Sequence, residues 1–84
     1  MTYEEVFEPI EVITVFQQGL LKPLRFRWKG TVYKISHIHS HWTLPQGRGR
    51  EHHFAVSAGS PDSFELVFNT DDLNWQLARV AMEG

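Results

Sequence analysis

The residues best suited to chemistry are five histidines packed between positions 37 and 53, three of them alternating as His37-Ile38-His39-Ser40-His41 and two adjacent as His52-His53. On a strand, residues i and i+2 project to one face about 7 Å apart, close enough for two imidazoles to chelate one ion. Three in a row span too far for a single ion, so a metal site needs a pair plus a third ligand from another strand. His39 and His41, with His53 brought opposite by a hairpin centred near Gly47, form the candidate metal set. In that pairing Ile38 faces Val56 and His41 faces His53, leaving His37, His39, His41 and His53 on the face opposite Ile38, Phe54 and Val56. The plainer alternative is a wet polar face of a half-buried sheet, on which histidines collect metal only adventitiously. The same cluster could act as a proton switch, since full protonation carries the formal net charge from -2 to +3.

A second group is basic. Arg25, Arg27, Lys29, Lys34, Arg48 and Arg50 lie beside Trp28, Tyr33 and Trp42, the ingredients of phosphate contact and base stacking. The segment Gln46-Gly47-Arg48-Gly49-Arg50 could close over a nucleic-acid backbone as loops of small β-barrels do. Alternation of aromatics with arginines sends most of the rings into the core, and the plainer alternative is a solvated basic face.

Enzymatic machinery is poorly represented. Ser36, Ser40, His39 and Asp62 supply the residue types of a triad, but no nucleophile elbow presents them. Gly47 and Gly49 lack the Lys-Ser or Lys-Thr of a phosphate loop, and without cysteine there can be no thiol nucleophile, disulfide or iron-sulfur ligand. The expectation is a noncatalytic protein without a cofactor.

The elements that must position these groups are those of a small domain. With 84 residues, 42% of them hydrophobic, the chain can bury one core but not a core plus an enclosed catalytic cavity. Its charge is divided. Glu4, Glu5, Glu8 and Glu11 make the first eleven residues acidic, residues 22 to 53 set seven basic groups against Glu51 alone, and the remainder is acidic again. No apolar run approaches the ~18 residues of a membrane helix, and three glutamates stand where a signal peptide would carry Lys or Arg. A cytoplasmic protein that does not engage membranes is expected.

Residues 1–9 read as a loosely held N-terminal arm anchored by Phe7, because Pro9 blocks a helix. Residues 10–84 read as a single β domain. Ile10 to Phe16 is β-branched and aromatic; Leu24, Phe26 and Trp28 alternate with Arg25 and Arg27; Lys29-Gly30 reverses the chain into Thr31 to Ile38. A one-residue bulge near Ser36 or His37 would turn Tyr33, Ile35, Ile38 and Trp42 all inward. Phe54 and Val56, then Phe64, Leu66 and Phe68, give two further buried faces. Trp75 to Met82 fits either a helix or a strand; we read it as a final strand covering an edge. The fold class is all-β, an antiparallel sheet of about six strands, barrel-like or strongly bent.

Taken in order, Pro9-Ile10-Glu11-Val12, Pro23-Leu24-Arg25-Phe26-Arg27-Trp28-Lys29-Gly30, Tyr33-Lys34-Ile35 through Ile38 to Trp42, Phe54-Ala55-Val56, Phe64-Glu65-Leu66 and Trp75-Gln76-Leu77-Ala78-Arg79-Val80 resemble a family of small bacterial all-β domains of unknown function. Thr31 and the histidine stripe depart from that family's pattern. Some members are encoded near an accessory translesion DNA polymerase, so the resemblance implies nucleic acid, or an enzyme acting on it, as a partner, and no catalytic residues. Self-association as a homodimer, through an edge strand or the apolar pair Leu20-Leu21, is the competing expectation.

Overall fold

The computed structural model describes residues 2–82; Met1, Glu83 and Gly84, parts of the expected arm and domain, lie outside the described residues. Seven strands follow one another: β1 (Thr2–Gln17), β2 (Leu20–Trp28), β3 (Thr31–Lys34), β4 (His37–Gln46), β5 (Gly49–Ser57), β6 (Ser63–Asn69) and β7 (Asn74–Met82). They form one antiparallel sheet in the order β3-β2-β1-β7-β6-β5-β4. The all-β expectation holds, and the ambiguous last segment is a strand. The expected six strands in a barrel-like or strongly bent sheet are corrected to seven in a sheet neither closed into a barrel nor strongly curled. Among the described residues its edges, β3 and β4, exchange no ladder, and β7 is an internal strand between β1 and β6 rather than an edge cover.

The long first strand is the reason. Residues 2–10 of β1 pair with β7, from Thr2↔Met82 to Ile10↔Trp75, and residues 11–17 pair with β2, from Glu11↔Arg27 to Gln17↔Leu20. The expected arm is therefore strand. Pro9 is tolerated because β1 is a local edge there, β2 joining only at Glu11. A bulge after Glu5, with Phe7 at φ 52°, lets Val6 pack on the core while Phe7 points to solvent, so Phe7 is not the anchor.

Two hairpins use two-residue turns with consecutive positive φ, Gln18-Gly19 and Lys29-Gly30, whose twist matches that of the flanking strands. The core lies on the face carrying Phe54, Val56, Phe64, Leu66, Leu77 and Val80. Phe26 closes it from β2, its ring 4.9 Å from Tyr33 and 5.2 Å from Phe64. Among the described residues no helix is long and apolar enough to cross a membrane.

Candidate functional site

The basic residues separate into groups. On β2, Phe26 and Pro23 point into the core, and a register shift leaves Leu24 as an extra residue beside them. Lys22, Arg25 and Arg27 consequently share the outer face, where Arg25 stands directly opposite Lys34 of β3. Arg27 is neutralised by Glu11, its cross-strand neighbour on β1, with Nε donating at 2.9 Å. Lys22, Arg25 and Lys34 have no carboxylate partner among the described residues. Lys29 lies at the hairpin turn with its ammonium 5.0 Å from the Trp28 ring centre. Arg48 and Arg50 sit at the far turn of the β4–β5 hairpin, about 30 Å along β4 from its junction with β3.

The aromatic residues do not join this face. Tyr33 packs against Phe26 and Phe64, and Trp28 turns its indole N–H to the Glu8 carboxylate at 3.0 Å. Besides Glu11, what the cations share their face with is aliphatic, Ile13 on β1 and Val32 on β3, both more than half exposed. Base stacking is thus not part of what this face can do; phosphate attraction is.

The histidines are divided by a bulge that the sequence pattern placed two or three residues too early. It falls between Ile38 and Ser40, so His39 is the extra residue, and every later side chain of β4 lies on the opposite face from that expected. Ile38 does face Val56, but His41 faces Phe54, and His53 faces Trp42. His41 stacks on Phe54 with centres 4.3 Å apart and planes at 8°. Its Nε2 lies 3.1 Å from Nδ1 of His52, whose pKa is lowered by burial and then by His41, Arg50 and His53. His53 is on the other face, 9% exposed, with Nδ1 3.0 Å from Glu65 and Nε2 3.2 Å from Glu51. Trp42, expected in the core, instead lies flat on His53, centres 5.3 Å apart and planes at 17°.

His39, His41 and His53 therefore point to three different places. His39 bonds the Ser57 hydroxyl at 2.7 Å, and its ring lies 4.6 Å from that of His37. Among the described residues no group of three or more His, Cys, Asp or Glu could hold a metal ion. The metal-binding histidine cluster is overturned, and the cause is the register. Nor does His39 meet Ser36 or Ser40 as a triad would need; Ser36 bonds the Ser57 carbonyl and takes the Gly59 N–H.

Sequence reasoning missed the network on the far face, in which Glu65 forms an ion pair with Arg79 on β7 at 3.4 Å as well as meeting His53. Glu65 and Arg79 stand opposite each other across β6 and β7, a pairing visible only once the strand order is known. It also missed Lys22, whose role depends on the register shift at Leu24. No protein-family model matches this chain, and comparison with curated proteins and with solved structures gives no match.

Proposed function

We propose that the domain is a noncatalytic binding module that engages nucleic acid by its phosphates, through Lys22, Arg25 and Lys34 on the outer face of β2 and β3. The carrying observation is the Arg25↔Lys34 pair: two like charges directly opposed across a ladder, neither in an ion pair with a carboxylate among the described residues, since the nearby Glu11 is engaged by Arg27. Like charges in that position destabilise a sheet. A polyanion laid across them removes the repulsion and gains counterion release. The resemblance to small bacterial domains encoded near a translesion polymerase supports the same partner class. Arg27 contributes less because Glu11 already holds it, and with no exposed aromatic on that face among the described residues the binding is indifferent to base sequence.

Fluorescence anisotropy with labelled single and double strands tests this. Binding at about 50 mM salt that falls steeply by about 200 mM is the expected result. Arg25→Ala weakens it, whereas Arg79→Ala, whose guanidinium on β7 faces Glu65 of β6, leaves it near the wild-type value. Absence of binding at the lower salt overturns the reading.

A further inference from the structure

The two edges of the sheet are unequal. β3 offers only four residues, one of them Lys34, and short or lysine-bearing edges resist pairing with another chain. β4 is a ten-residue edge, HIHSHWTLPQ, without a single Lys, Arg, Asp or Glu, and among the described residues no strand pairs with its outer flank. Such an edge is normally blunted. Here the blunting is confined to the ends, where the His39 bulge interrupts one side and Pro45, lacking an N–H, closes the other. Ser40 to Leu44 remains as an uninterrupted neutral stretch.

We propose that this stretch pairs antiparallel with the same stretch of a second copy of the chain, about a two-fold axis through Trp42. The occupant is argued from self-complementarity. An isologous contact sets residue 42 against itself, 41 against 43 and 40 against 44, and each of these pairings fits. Trp42 meets Trp42, an aromatic cross-strand pair of the favourable kind. Ser40, small, meets Leu44, large, and Leu44 is 46% exposed in the single chain. His41 meets Thr43 on the other face, so no two charged groups are opposed even when the histidine is protonated.

The outer-face indole is already held for the contact. Trp42 is 38% exposed yet lies flat on His53, which is fastened at both ring nitrogens by Glu51 and Glu65, and Glu65 in turn by Arg79. A side chain ordered before association loses little freedom on binding, which is what a short interface requires. Pairing at β4 would leave the assembly bounded by the two short β3 edges. The cations proposed to meet nucleic acid lie on β2 and β3, so this inference stands or falls independently of that reading.

Light scattering on size-fractionated full-length chain, from about 10 µM to 1 mM, reads the outcome. The expected result is a mass that climbs with concentration from 9.8 kDa toward twice that value. Trp42→Lys abolishes the climb. Because that substitution also unstacks His53, Ser40→Lys serves beside it: residue 40 is exposed and stands opposite Ala55 rather than His53, and a lysine there should hold the mass at 9.8 kDa with an unchanged circular dichroism spectrum. A wild-type mass of 9.8 kDa throughout, or a dimer that persists in Ser40→Lys, overturns the proposal.

Discussion

Replacing Lys34 by Gln separates folding from binding, because the two should move in opposite directions. Lys34 is directly opposite Arg25 and neither has a carboxylate partner among the described residues, so the wild-type sheet carries a cross-strand repulsion. Such pairs cost about 0.2–1 kcal/mol. Taking ~0.5 kcal/mol, and ~4–8 °C per kcal/mol for a domain of this size, Lys34→Gln should raise the melting temperature by about 2–4 °C. The gain should vanish near 1 M salt, where screening acts over about 3 Å. Binding should weaken. With three unpaired cations each meeting one phosphate of a single strand, log K falls with log salt at a slope of about -2.1, an ~18-fold loss between 50 and 200 mM. Removing one contact reduces the slope to about -1.4 and the loss to ~7-fold. Differential scanning fluorimetry and anisotropy on the same preparations read both effects. A salt slope identical in wild type and variant would refute the assignment of Lys34 to phosphate, even if the melting temperature rose as expected.

Four other substitutions probe the architecture. Leu20 is largely exposed while Leu21 packs on the core, so Leu21→Ser should cost ~2 kcal/mol and Leu20→Ser under about 0.5, compared by denaturant titration; equal losses would mean that the first hairpin is seated differently. A Cβ on Gly49 would run into Asp71 and Thr70, and Thr70 cannot move away without losing the bond that its hydroxyl accepts from the Arg50 N–H at 2.9 Å. Gly49→Ala should therefore cost about 1–3 kcal/mol, and an unchanged melting temperature would count against this packing of the β6–β7 turn on the β4–β5 hairpin. The lowered pKa of His52 means that the unfolded chain takes up protons more readily as pH falls through 6.5. Its contribution to stability is then complete above that value and lost below it, through the folded-state pKa. Melting temperatures at about pH 7.5 and 5.5 should differ less in His52→Gln than in wild type, and an equal drop in both would show that other groups carry the acid sensitivity.

Period-2 alternation, glycine-bearing turns and β-branched runs are local properties, and they determined much of this protein directly from the chain. Phe26, Phe54, Val56, Phe64, Leu66 and Phe68 are buried as their spacing predicts, and the reversals at Gly19, Gly30 and Gly47 occur where the turn residues stand. The shared face of Arg25 and Arg27 was legible for the same reason. What neighbours that face was not, because Glu11, Ile13 and Lys34 reach it only by the pairing of β1 and β3 with β2. Residues 2–9 carry no strong strand signal of their own; β7 recruits them, and that decision belongs to pairings from Pro9↔Gln76 to Thr2↔Met82, far apart in the chain. The histidines show the limit most sharply. Their spacing along β4 is a sequence fact, but which of them meet depends on a single extra residue in the ladder. A bulge at His39 rather than at Ser36 or His37 sends His41 onto Phe54 and leaves His53 to Trp42, Glu51 and Glu65 on the opposite side. Alternation in a strand has a period of two, so one residue of register exchanges its faces, and register is settled by the partner strand and the core it covers.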